Sequence, residues 1–209
     1  MAIWLILAAI VEWCDRIKLA RAPFAESLRR MRNLPRAAHG MTLAHAGLGV
    51  AVLAMVGSSA FKSEEIVFAA PGTQVSVAGY DLTFEGTRQI EGPNYVADRA
   101  QVRVSRDGEP LTVLYPERRI YPVAGMPTTE SAVRQTLAGD LYLSIAQPAA
   151  EDAQGRWILR VIYEPLINFL WVGSIMMVIG GCFSLSDRRL RIGAPRRSSA
   201  PTPSATPAE

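Results

Sequence analysis

Two stretches, GMTLAHAGLGVAVLAMVGSSAF from Gly40 to Phe61 and PLINFLWVGSIMMVIGGCFSLS from Pro165 to Ser186, each run for 22 residues without a formal charge. As helices they reach about 33 Å, enough for a hydrocarbon core of about 30 Å. Both read as transmembrane helices, and the rest of the chain is arranged around them. Residues 1–13 are apolar except for Glu12. As a helix they reach only about 20 Å. They lack the basic start and small-residue cleavage site of a signal peptide. The expectation is a partial third transmembrane helix that begins upstream of Met1.

The 209 residues carry a net charge of +3, unevenly distributed. Residues 14–39 hold seven basic residues and the tail, 187–209, holds five; residues 62–164 hold ten against fourteen acidic. Arginines flanking apolar runs mark membrane topology rather than nucleic-acid binding. By the positive-inside rule, 14–39 and 187–209 are cytoplasmic and 62–164 lies outside. Within the first loop, Pro23 can open a short helix that sets Phe24, Leu28 and Met31 on one face, suited to an anionic lipid surface. A solvated connecting loop fits that segment as well. The tail from Gly193 is rich in Pro, Ser, Ala and Thr and reads as disordered. The two cysteines, Cys14 and Cys182, are too few and too far apart for a disulfide framework and read as membrane-embedded thiols.

Residues 62–164 contain short Val-, Ile-, Leu- and aromatic-rich runs at 65–70, 74–78, 80–85, 100–105, 111–115, 141–146 and 157–163. Turn signals separate them, among them Pro71-Gly72, Ala78-Gly79, Asp107-Gly108 and Gln154-Gly155. The fold class expected is membrane α plus β. Two to three transmembrane helices carry a small antiparallel β-rich domain, a sandwich or barrel, between the last two. Thr128 or Thr129 with Glu130 predicts one helix over Thr129–Leu137. The outer domain has no His and no Cys, hence no evident metal site, thiol nucleophile or His-dependent triad.

Chemistry concentrates at His45, an ionisable side chain at membrane depth and by default a functional candidate. Gly40, Ala44, Gly47 and Ala51 form a stripe without bulk that lets another helix, or a flat macrocycle, approach closely. A neutral imidazole there is a ready axial ligand for haem iron. A packing face, with His45 hydrogen-bonded to a neighbouring helix, is equally compatible with the residues. His39, six positions earlier and about 120° round the helix, cannot share one iron with His45 and reads as an ordinary interfacial residue.

The segments GMTLAHAGLGVAV, GYDLTFEGTRQIEGPNYVADRAQVRVSR, YPERRIYPVAGMPTTESAV and RVIYEPLINFLWVGSIMMVIGG resemble the C-terminal portion of CcmF. CcmF is the haem lyase subunit of the bacterial cytochrome c maturation system, and the resemblance runs from about Ile3 to Arg191. It implies covalent attachment of haem to apocytochrome c in the periplasm, and a b-type haem held in the membrane by two histidines. The family's G-M-x-x-A-H-x-G histidine is one of those ligands and falls on His45, making it both the cofactor-binding and the metal-ligating residue implied. The implied partners are the N-terminal portion of the same subunit, other cytochrome c maturation subunits, a haem chaperone, apocytochrome c and the lipid bilayer, with no nucleic acid. The implied location is the bacterial inner membrane, with 62–164 in the periplasm.

The family's tryptophan-rich haem-handling segment, its flanking external histidines and the helix with the second haem ligand have no counterpart here. Trp4, Trp13, Trp157 and Trp171 are isolated. The expectation is a fragment or one piece of a split subunit, with no catalytic residue of its own and no activity alone. A non-catalytic scaffold, whose outer domain docks apocytochrome c or the haem chaperone, is the alternative. A transporter is disfavoured, since two or three spans with one polar residue offer no substrate path.

Overall fold

A computed structural model of the chain describes residues 1–123, 125–147 and 155–187. Among the described residues there are four helices, α1 (Ala2–Ile17), α2 (Phe24–Asn33), α3 (Arg36–Ala60) and α4 (Asn168–Leu185), and ten strands, all between α3 and α4 in the chain. Among the described residues, only α3 and α4 are long and apolar enough to cross a membrane. The 16 residues of α1 span about 24 Å. Pro23 caps α2, which matches the short helix expected there. Of its apolar positions Phe24 is 77% exposed. The expected disordered tail, from residue 193, and Gln154 of one expected turn lie outside the described residues.

Helices α3 and α4 pack antiparallel, backbone against backbone. Gly40 and Gly47 of α3 oppose Gly180 and Gly173 of α4, seven residues apart on each helix. A Cβ placed on Gly47 would lie 2.7 Å from the Gly173 carbonyl oxygen, so only glycine permits this separation. The small-residue stripe is therefore a helix-packing face, filled by α4 rather than left for a macrocycle. Asp187, just past α4, caps α3 by accepting the Ala37 N–H at 3.1 Å. That satisfies one of the free amides of a helix start that has no local side-chain cap.

The domain between α3 and α4 is a sandwich of two antiparallel sheets. One runs β1 (Ser63–Ala69), β10 (Trp157–Pro165), β9 (Gly139–Ala146), β8 (Ala132–Thr136). The other runs β2 (Gln74–Val77), β3 (Tyr80–Glu91), β4 (Val96–Arg106), β6 (Glu117–Ile120), β7 (Pro127–Glu130), with β5 (Glu109–Leu114) also paired to β4. Period-two alternation turns Leu82 and Phe84, Val102 and Val104, Leu141, Leu143 and Ile145, and Leu159 and Val161 into one shared core. Asp107 (φ 53°) and Gly108 (φ 82°) both take positive φ, the requirement of the tight two-residue turn expected between β4 and β5.

The expected helix over Thr129–Leu137 is absent: that stretch forms the end of β7 and all of β8. Glu130 pairs with Glu117 on β6, and Ala132 pairs with Leu143 on β9. A Thr-Thr-Glu start resembles a helix cap, but Thr129, Val133 and Thr136 are β-branched and suit a pleated surface. Two open sheet edges supply the backbone partners that a local reading cannot see. Strand β6, ERRI, also escapes a hydrophobicity-based reading, because its two arginines and its glutamate pair rather than pack.

Those charges form one cluster. Glu117, 5% exposed, accepts from Arg99 Nε at 2.6 Å and Arg119 Nε at 2.8 Å, and Arg119 lies 4.4 Å over the Tyr95 ring. Burial pushes the Glu117 carboxyl up, but hydrogen bonds from Arg119 and Arg99 more than offset it and hold the group below its ordinary value. Its stabilisation is thus present above the unfolded carboxyl value of about 4.3 and is lost as pH falls through the lower folded value. Glu117→Gln should destabilise the folded chain by about 1–3 kcal/mol at neutral pH. Thermal unfolding in detergent, followed by near-ultraviolet circular dichroism, should show that difference shrink below about pH 4. A difference unchanged between pH 7 and pH 3 would rule out the charge pairing as its source.

Candidate functional site

His45 is exposed on α3, roughly 130° round the helix from the stripe that α4 covers. Its Nδ1 lies 2.8 Å from the Met41 carbonyl oxygen, one turn earlier on the same helix. A carbonyl only accepts, so Nδ1 carries the proton. In the neutral ring the lone pair is then on Nε2, which has no hydrogen-bond partner among the described residues. Pairing across to a neighbouring helix, the arrangement a packing role would require, is not what the ring does.

Helix α1 forms one wall beside it. Gly49 accepts Ile6 and the Ala2 carbonyl against its backbone, which lays α1 antiparallel along α3. Trp4, Leu5, Ala8 and Glu12 of α1 and Met41, Thr42 and His45 of α3 line a cleft of about 160 Å³. That volume is too small for a porphyrin, so any flat macrocycle bound at Nε2 would lie on the exposed side of His45. Glu12 in this cleft accepts from Arg16 at 2.6 Å. The sequence marks Glu12 as the one charge of residues 1–13 and Trp4 as an isolated tryptophan, but neither as a neighbour of His45; the antiparallel packing of α1 on α3 brings them there.

His39 does something different. Trp13 Nε1 donates to its Nδ1 at 3.1 Å, and its Nε2 faces the Met31 carbonyl oxygen at 3.1 Å. These roles are consistent in one neutral tautomer, with the proton on Nε2. The ring ties α1, α2 and α3 together, and both nitrogens are occupied. The sequence reads His39 as an ordinary interfacial residue; the structure makes it a clamp instead, whose partners are 26 and 8 residues away. Among the described residues no three His, Cys, Asp or Glu side chains come together as a metal site. A lone histidine can nonetheless serve a haem, since the porphyrin supplies four of the iron's ligands.

The class this architecture defines is an antiparallel β-sandwich carried between two long apolar helices that pack through glycines. Residues 60–165 match the family described as the CcmF C-terminal β-sandwich, and the chain belongs to that family, as its C-terminal portion. It is 41% identical to the cytochrome c-type biogenesis protein CycK of Bradyrhizobium diazoefficiens, over 94% of this chain and 29% of that protein. It is 33% identical to the cytochrome c-type biogenesis protein CcmF of Escherichia coli, over 96% of this chain and 29% of that protein. The corresponding protein of Pseudomonas aeruginosa is 32% identical over 92% and 28%. The solved cytochrome c haem lyase CcmF shares the fold with a TM-score of 0.63 at 21% identity, over 88% of this chain and 29% of that one. The chain thus spans less than a third of the length of these relatives.

Proposed function

We propose that this chain is the C-terminal part of a cytochrome c haem lyase. It contributes one axial ligand to a membrane-embedded b-type haem, and the periplasmic domain used when haem is attached to apocytochrome c. The observation that carries the reading is the state of His45: exposed, oriented by its own backbone, with Nε2 free. An axial histidine is commonly held this way, its other nitrogen donating to a carbonyl that fixes the tautomer and raises ligand basicity. Bound haem would supply an iron with two axial positions, of which His45 Nε2 fills one. The other ligand belongs to the N-terminal portion of the same subunit.

In this reading α3 and α4 cross the inner membrane, with the arginines of 14–39 inside and the sandwich in the periplasm. The Met41 carbonyl keeps the imidazole in its ligating tautomer, and the α1 wall of Trp4, Leu5 and Ala8 shields one flank from water. The other maturation subunits, the haem chaperone and apocytochrome c are the partners this role requires.

The orientation is testable on its own. A periplasm-active reporter fused after Gly155 should give high activity, and one fused after Arg197 should give none, with a cytoplasm-active reporter showing the reverse. Opposite activities would overturn the orientation and the haem lyase role with it. The haem role is tested by co-expressing the chain with the N-terminal portion of the subunit. The purified assembly should show a low-spin, bis-histidine absorption spectrum; a haem-free or high-spin assembly would count against His45 as a ligand.

A further inference from the structure

The β8–β9 hairpin turns through Leu137 and Ala138, and Leu137 is 71% exposed. Tight turns favour Gly, Asn, Asp and Ser, so a bare leucine at a tip needs a reason. The hairpin is tied to the start of α4. Asn168 Nδ2 donates to the Thr136 carbonyl oxygen at 2.8 Å and to Asp140 Oδ1 at 2.5 Å, and the Leu166 N–H donates to the Ala138 carbonyl oxygen at 2.9 Å. Asp140, 2% exposed, also accepts the Thr136 N–H at 3.3 Å and the Tyr142 hydroxyl at 3.5 Å, so no buried oxygen is stranded.

Helix length then sets the depth of the tip. The 18 residues of α4 span about 27 Å, slightly less than a hydrocarbon core of about 30 Å. If α4 crosses the bilayer, Asn168 has to lie at the boundary of that core. Trp171, one turn further in, is 66% exposed, and Phe61 at the outer end of α3 is 71% exposed, both where interfacial aromatics belong. We infer that the Leu137–Ala138 tip is seated in the headgroup region of the bilayer, so that the sandwich rests on the lipid surface as well as being attached through its helices. This rests on the proposed spanning role of α4, and the occupant is lipid rather than a further protein segment.

The far end of the sandwich provides a reference point. Tyr80, at the start of β3, packs in a tilted arrangement against Tyr163 near α4, with ring centroids 5.8 Å apart. The 12-residue β3 then carries the chain about 40 Å away, to the turn holding Asn94. The test uses the full 209-residue chain, with Cys14 and Cys182 replaced by Ser, in phosphatidylcholine–phosphatidylglycerol vesicles. A nitroxide is attached in turn at Leu137→Cys, Asn94→Cys and Trp171→Cys, and its collision with oxygen is compared with that with a water-soluble nickel chelate. The oxygen-to-nickel ratio should be several-fold higher at Leu137 than at Asn94 and should lie between Asn94 and Trp171. A Leu137 ratio equal to that of Asn94, or a Leu137 label shielded from both reagents by protein, would overturn the inference while leaving α4 as a span. A water-like ratio at Trp171 would instead remove the spanning role itself, and the inference with it.

Discussion

His45→Ala, introduced into the assembly of this chain with the N-terminal portion of the subunit, should remove the low-spin bis-histidine spectrum and reduce cytochrome c maturation at least about tenfold, since loss of even an outer-shell partner of a metal ligand typically costs about 10–100-fold. Among the described residues the imidazole makes one hydrogen bond, to the Met41 carbonyl, and that carbonyl belongs to a continuing helix. Its loss leaves no buried group unpaired and no side chain without support, since His45 is exposed. Folding and membrane insertion should therefore be nearly unchanged, whereas one axial position would be left to water or nothing, shifting the iron to high spin or releasing the haem. His39→Ala provides the contrast. It breaks the clamp between Trp13 and Met31 and should loosen α1 and α2, yet keep the bis-histidine spectrum. Absorption spectra and covalent-haem staining of a reporter cytochrome separate the two. If His45→Ala leaves both readouts at wild-type level, the scaffold role is the correct one.

The second large effect is expected at the helix contact. Gly47→Leu should cost about 3 kcal/mol or more, because the new side chain meets backbone on the opposite helix rather than a movable side chain. Even a Cβ at this position would lie 2.7 Å from the Gly173 carbonyl oxygen and 2.9 Å from the Met177 nitrogen. Helices α3 and α4 would have to separate along their length. Gly181→Leu is the matched control: it sits next to the buried Gly180 on α4, yet nothing lies within 4 Å of a Cβ there. Thermal denaturation in mild detergent should show a marked loss for Gly47→Leu and almost none for Gly181→Leu. Equal melting of both variants would mean that close backbone approach does not hold the pair together.

Residues 45 and 47 stand two positions apart, and in the sequence they form one feature, a small-residue face beside a histidine. The structure divides them. Glycine spacing does identify a face where backbones meet, because a missing Cβ has the same meaning in any helix. Which partner fills that face depends on a stripe far along the chain, Gly173 and Gly180, and on the strands that bring the two helices side by side. His45 points elsewhere, so its candidacy stands on its own hydrogen bond and exposure, not on the stripe.

What the sequence determined by itself is whatever depends on local composition and period. Charge-free runs of 22 residues define the long helices, because transfer free energy is summed along the chain. Alternation in Leu141–Leu143–Ile145 and Leu159–Val161 defines core strands, because a pleated strand sends every second side chain to one face. Asp107-Gly108 defines a hairpin, because few other residue pairs tolerate two consecutive positive φ values. The tertiary structure alone decided the elements whose stability comes from distant partners. Thr129–Thr136 is strand rather than helix because β6 and β9 offer it a ladder. The Asp187 cap on α3 and the Asn168 link to Asp140 join residues 150 and 28 positions apart. Hydrogen bonds of that range leave no periodic trace in a sequence, since either partner alone is only an ordinary polar residue at the end of an element.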